Sequence, residues 1–332
     1  MKWYHLATLG PLALAACTEG VGPNSSDSTM PVTPAEPAAL ISTPSKTWVL
    51  KPRMPTARKN HVAVAVDGIV YAIGGEGGPT KVEAYIPSTN SWTSRLGLGE
   101  GRTRSSGAAA INGKIYMTGG INWSGHLTKT LLVYNPATNL WTQRADLPVA
   151  STRGASAAIG GKLYVYTPAN QTTDGWPMLH RYDPASNGWV KLARPPQNVE
   201  FPAAGAMAGK LYLAGGHTPN GPSDKLHVYD PATNSWTTKH SMPTARYDAA
   251  AAVAHSGLIP TQRLYVMGGT VSSTSTTMLQ TVEAYNPATD TWTTVASLHR
   301  PRRGLAAATA NGIIYALGGT SSGVLRPVNE AY

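Results

Sequence analysis

Apolar and polar positions along this chain fall into short runs, not helical stripes. Small apolar runs come first: HVAVAV, SSGAAA, GASAAI, PAAGAMA, DAAAAV and GLAAATA. Most are followed by an apolar run ending in Gly-Gly, as in KIYMTGG, KLYLAGG, RLYVMGG and IIYALGG. A third run ends in Tyr (KVEAY, KLHVY) and a fourth begins at Trp (WTSRL, WTTV). Runs of this length, bounded by Gly, Pro, Asn and Asp, read as strands. Asp67-Gly68, Asn112-Gly113 and Asn311-Gly312 separate the first two runs. Such pairs favour type I′ turns, in which both residues take positive φ. Asn135-Pro136 and Asp183-Pro184 separate the last two runs, and Pro pre-sets a turn there. Each unit therefore predicts a four-stranded antiparallel meander.

The units repeat. Trp follows Tyr by seven residues in YIPSTNSW, YNPATNLW, YDPASNGW, YDPATNSW and YNPATDTW. The repeat-register tryptophans stand at 48, 92, 141, 189, 236 and 292, at intervals of 44, 49, 48, 47 and 56. Four strands at a period of roughly 40–50 residues predict the blades of a propeller. The Ala/Gly-rich first strand fits the crowded axis, and the Tyr and Trp on the outer strands supply bulk between blades.

Gly-Gly after an apolar strand, followed by a spaced Tyr and Trp, resembles the kelch repeat. The resemblance covers about residues 47–332 and implies an all-β fold: a six-bladed kelch-type β-propeller. Two copies depart from the pattern. The third has Thr167-Pro168 in place of Gly-Gly, and the fifth stretches its first hairpin into AHSGLIPTQR. The sixth copy reaches Tyr332 with no Trp seven residues on, while Trp48 has no Tyr before it. Residues 47–50 are therefore expected to form the outer strand of the last blade, which closes the ring and removes an exposed edge.

Ahead of the repeats, residues 1–17 (MKWYHLATLGPLALAAC) carry one Lys and a short apolar run. The run is too short to span a bilayer and reads as an export signal. Leu14-Ala15-Ala16-Cys17 resembles a bacterial lipobox, which implies lipidation at Cys17, the one cysteine of the chain. An ordinary signal peptide with an incidental Cys is the alternative. Thr18 after the cysteine implies, by the same resemblance, an outer-membrane destination in a diderm host. Residues 18–46 are Pro/Ser/Thr-rich with no period, which predicts a flexible tether. The expected protein is a lipid-anchored, monomeric envelope protein.

Composition adds a modest charge signal. Charged residues make up 13% of the chain, yet its net charge is +10. That balance reads either as a mildly basic surface or as a preference for anionic ligands. Without a Lys/Arg run, an exported protein of this kind is not expected to bind nucleic acid.

Candidate chemistry gathers on one face. In a meander the lead-in to each first strand and the loop after each Gly-Gly share a face, and variable loops on a rigid scaffold carry function. Arg58, Arg104, Arg153, Arg246 and Arg303 enter first strands near one register, with Glu200 in the fourth copy. Tying blades together is the structural reading of these arginines; holding an anion is the functional one. Two tryptophans outside both the signal and the repeat register, Trp123 and Trp176, lie in post-Gly-Gly loops near His126, Asp174, His217 and Asn220. Flat rings stack on sugar faces, so the expected ligand is a carbohydrate or a protein. Trp123 and Trp176 would stack, Arg104 and Arg153 would hold charge, and Glu200 would orient a hydroxyl or act as acid/base.

Catalytic signatures are sparse. There is no HExxH, no GxSxG and no Cys/His metal spacing, so no metal or cofactor is expected. GGEGGP at 74–79 leads towards a strand, unlike a phosphate loop. Galactose oxidase shares the kelch propeller, but its copper chemistry needs a Cys–Tyr cross-link that the repeats cannot supply. Exported six-bladed kelch proteins also include sialic acid mutarotases. This chain is similar to them in blade count, export and basic character, at the level of fold alone. A binding module is the preferred expectation, an isomerase acting on an anionic sugar the second.

Overall fold

The computed structural model describes residues 47–169, 175–255, 261–272 and 277–332. Six four-stranded antiparallel sheets form a ring, with no α-helix among the described residues. Blade 1 consists of Val62–Val66, Ile69–Ile73, Val82–Ile86 and Ser91–Ser94. Blades 2 to 5 repeat this order, starting at Ala108–Ile111, Ala155–Ile159, Ala203–Met207 and Ala250–His255. Blade 6 takes Ala306–Ala310, Ile313–Leu317 and Asn329–Ala331, then Val49–Lys51 as its outer strand. First strands of neighbouring blades face each other all the way round, including blade 6 against blade 1. Asp67-Gly68, Asn112-Gly113 and Asn311-Gly312 all have positive φ, as type I′ turns require.

The closing strand lies where the unmatched aromatics place it. Val49 is opposite Ala331, Leu50 opposite Glu330 and Lys51 opposite Asn329. Trp48 packs on Tyr332 at 5.1 Å between ring centroids, within the 4.9–5.3 Å of the five Tyr–Trp pairs inside blades 1 to 5.

Tyr and Trp recur because they staple blades. Each repeat-register indole N–H donates to a carbonyl on the preceding blade at 2.8–3.0 Å, from Trp92 to Pro52 round to Trp48 to Ala296. Each buried Tyr hydroxyl in blades 1 to 5 donates to the Asn or Asp five residues on, as Tyr134 does to Asn139 at 2.6 Å. In blades 2 to 5 that same oxygen accepts an N–H of the previous blade, Leu96 in the case of Asn139. These residues take φ of 48–55°, which Asn and Asp tolerate better than other side chains. A buried polar tip is thereby satisfied while the ring fills the gap between sheets.

Three buried ion pairs brace the ring. Arg58 meets Glu83, Arg246 meets Glu283 and Arg302 meets Glu330, all six side chains at most 4% exposed. Each arginine also donates to the carbonyl of the first Gly of its Gly-Gly pair. Burial pushes the Arg246 guanidinium down, and Glu283 pulls it back up. Blades 3 and 4 lack both members, whereas blade 2 keeps the arginine alone, Arg102, which pairs with Glu100 at 2.8 Å. The third-strand position of Glu83 holds Leu132, His180 and His227 in blades 2, 3 and 4, opposite lead-in residues Arg102, Ser151 and Val199. Burial, with Lys191 nearby, lowers His180 to about 4, so it is neutral where no arginine needs a partner.

Candidate functional site

The arginines do not share one register. Three consecutive lead-in positions separate them: Arg-Lys-Asn at 58–60, Arg-Thr-Arg at 102–104, Ser-Thr-Arg at 151–153, Val-Glu-Phe at 199–201, Arg-Tyr-Asp at 246–248 and Arg-Arg-Gly at 302–304. The first position is buried in the blade and holds Arg58 and Arg246. The second bridges to the post-Gly-Gly loop, pairing Glu200 with His217 and Arg303 with Thr320. The third turns to the axis and holds Arg104 and Arg153. Glu200 thus stands in the register of Arg303, not of Arg153.

Third-position residues form a closed belt. Asn60 N–H donates to Gly304, Arg104 to Asn60, Arg153 to Arg104, Phe201 to Arg153, Asp248 to Phe201 and Gly304 to Asp248, at 2.7–3.3 Å. All six backbones are left-handed, with φ of 48–62°. A Cβ at Gly304 would sit 2.7 Å from Asn60 Oδ1, so the Asn60 amide would have to turn aside. Arg104, Arg153 and Phe201 are bulky residues in a region that costs about 1–3 kcal/mol each.

The belt rims a central channel of about 170 Å³. Alanines of the first strands, such as Ala63, Ala108, Ala155 and Ala203, line it. His61 also lines it; burial first, then Arg58 and Arg302, keep its imidazole neutral and well below its usual range.

Charge at the mouth is organised. Glu76 accepts from Arg104 at 2.8 Å and Asn60 at 2.9 Å and pairs with Lys59 at 3.2 Å. Burial alone would raise its carboxyl, but Asn60, Arg104 and Lys59 outweigh that and hold it low. Arg153 pairs with Glu200 at 3.0 Å and lies over the Phe201 ring at 5.4 Å. Both Arg104 and Arg153 keep a third of their side-chain surface exposed. His217 packs edge-on against Tyr247 at 4.8 Å. Lys59, Arg104, Arg153 and Arg303 outnumber the paired acids Glu76 and Glu200, leaving the mouth cationic. Asp248 sits on the belt among them.

The sequence-predicted residues divide into groups. Arg104, Arg153, Glu200 and His217 come together around blades 2 to 4 at the mouth. Trp123 and Trp176 are on the loop face, 70% and 60% exposed, each beside its own hollow. Trp123 lines one of about 290 Å³ with Pro79, Gly101 and Ile121. Trp176 lines one of about 150 Å³ with Pro177, Pro195 and Pro196, under the Arg194 guanidinium at 5.9 Å. His126 and Asn220 are exposed loop residues; Asn122 Oδ1 accepts the His126 N–H at 3.0 Å. Asp174, Cys17 and residues 256–260 of the stretched hairpin lie outside the described residues. Asn60, Phe201 and Asp248 are belt residues that the sequence reading missed. Their signal is the shared offset of two from the buried lead-in position.

The closed ring of Gly-Gly meanders with a charged axial mouth defines a kelch-type propeller. The family model described as the KLHDC2/KLHL20/DRC7 Kelch-repeats domain matches residues 105–319, and the Kelch motif matches 57–94. The chain belongs to the kelch-repeat family. It is similar to Kelch-like protein 24 of Rattus norvegicus, 33% identical over 105 residues, 31% of this chain and 17% of that protein. Kelch-like protein 36 of Bos taurus is 32% identical over 113 residues, 31% of this chain and 18% of the relative. The chain therefore spans less than a fifth of these relatives. The solved "Structure of YjhT" shares the fold, with a TM-score of 0.72 at 18% identity, covering 85% of this chain and 95% of that one.

Proposed function

We propose that this kelch propeller is a binding module for an anionic carbohydrate, seated at the mouth of the central channel. The observation that carries this reading is the pair Arg104 and Arg153. They are neighbours on the belt, part-exposed, and held in left-handed backbone that positions them at the axis. A channel of about 170 Å³ suits a sugar-sized group better than the face of a protein. Forked guanidinium donors match a carboxylate, and the exposed indoles of Trp123 and Trp176 supply flanking stacking platforms. Glycan-array binding followed by calorimetry tests the reading. Arg104→Gln with Arg153→Gln should abolish binding of acidic sugars. Trp176→Ala should weaken an extended glycan about tenfold, if sugar stacking is near the low end of the roughly 1–3 kcal/mol per stacked base in nucleic-acid complexes. Binding unchanged in both variants would refute the site.

Glu200 beside Arg153 favours one second reading, isomerisation of an acidic sugar, since a carboxylate and a guanidinium can share acid/base work and anchoring. Glu200→Gln should then abolish turnover and spare binding. If wild type shows no mutarotation, the binding module stands.

From Leu14-Ala15-Ala16-Cys17 we propose, independently of the site, that the protein is exported and lipid-anchored through Cys17. Several acyl chains would hold it firmly, at roughly 0.8 kcal/mol per buried CH₂. Cys17→Ser should release it from the membrane fraction or block signal processing; unchanged fractionation and mass would refute the anchor.

A further inference from the structure

We propose that the channel mouth takes its acidic ligand together with one proton, and that the carboxyl of Asp248 carries that proton. The inference rests on the anionic-carbohydrate reading above and deepens it.

Asp248 differs from the other acids at the mouth. Glu76 is tied to Lys59, Asn60 and Arg104, and Glu200 to Arg153. The Asp248 backbone is held by the belt bonds to Phe201 and Gly304, and among the described residues its carboxyl meets nearby charges but no hydrogen-bond or ion-pair partner. It lines the channel. Three steps around the six-membered belt put it across the axis from Arg104. The groups whose charge reaches it are Arg303 of blade 6, Lys59 and Glu76 of blade 1 and Arg104 of blade 2. Arg153 and Glu200 largely cancel one another, and His61 is neutral.

Burial pushes the Asp248 carboxyl up, and Arg303, Lys59 and Arg104 pull it back only in part. A carboxyl that keeps no partner and resists ionisation near three cations is set to meet an incoming anion. Ionised, it repels a ligand carboxylate in the same cavity. Protonated, it removes one negative charge and donates an O–H to a ligand oxygen. Two carboxyl groups sharing a site hold one proton more tightly than either does alone. Linkage then works both ways: ligand raises proton affinity at Asp248, and protons raise ligand affinity.

Glucuronate and N-acetylneuraminate are suitable probes, with glucose as the neutral control. Calorimetry in buffers of different ionisation enthalpy should report about one proton taken up per acidic sugar bound, and affinity should fall by about a decade per pH unit between the free and bound values of Asp248. Asp248→Asn imitates the protonated acid and tolerates left-handed backbone. It should bind at high pH as wild type does at low pH, with a flat profile and no proton uptake. Binding without proton uptake in wild type, or an unchanged pH profile in the variant, would overturn the proposal. A carboxyl ¹³C titration without ligand separates the two readings. The resonance lost in Asp248→Asn should titrate above the ordinary Asp range, and a midpoint within or below it would overturn proton coupling. An elevated midpoint with no acidic-sugar binding at any pH would overturn the ligand reading and the proposal resting on it.

Discussion

A chain lacking residues 46–51 is expected to lose the cooperative unfolding transition of the propeller. The deletion removes the outer strand of blade 6, whose three residues pair with Asn329–Ala331. Trp48, 4% exposed, goes with it, and so do its stack on Tyr332 and its bond to Ala296 on blade 5. Losing a buried Trp side chain alone costs about 3–5 kcal/mol. A single domain is stable by only about 5–15 kcal/mol, and the deletion adds an open strand edge beside buried Glu330. Denaturant unfolding followed by near-UV circular dichroism checks this. Trp48→Ala should lose about 3–5 kcal/mol while remaining folded. A deletion mutant with an unchanged midpoint would show that ring closure does not stabilise this fold.

Glu283→Ala should cost about 3–5 kcal/mol, because it leaves the Arg246 guanidinium buried without its counter-charge. Arg246 sits 2.7 Å from Glu283 and is 0% exposed, and its bonds to the Gly268 and Thr281 carbonyls give it no other anion. Replacing both partners, Arg246→Met with Glu283→Leu, should cost far less, since an apolar substitute for a buried pair is often neutral. Blades 3 and 4 of the same array do without either member, holding Ser151 with His180 and Val199 with His227 instead. Chemical denaturation of the two variants decides the matter. Equal destabilisation by single and double replacement would mean that the pair contributes by packing alone.

Much of the fold was legible because a propeller repeats its physics. Gly-Gly, the Tyr–Trp spacing and the Asn-Gly turns each mark a place where backbone must bend or blades must be stapled. Trp48 and Tyr332, unmatched in sequence, meet because the ring must close. The site was legible only in part. Arg58, Arg104 and Arg303 look alike in sequence, yet adjacent lead-in positions bury one side chain in the blade, turn one to the axis and bridge the third residue's backbone to the post-Gly-Gly loop. The left-handed turn at the third position breaks the two-residue alternation that a strand reader relies on. Asp248 was invisible for a different reason. Its neighbours on the belt are more than 40 residues away in the chain, and only closure assembles them. Trp123 and Trp176 stood out as off-register. Their loops leave the second strand, one strand out from the axis, so each lines a hollow apart from the channel.

The most direct test of the axial site is a crystal structure of the protein with glucuronate or N-acetylneuraminate. The site described here predicts the sugar carboxylate at the belt, within hydrogen-bonding distance of Arg104 or Arg153 and beside Asp248. Ligand bound only in the Trp123 or Trp176 hollows, or on the opposite hairpin face, would contradict it.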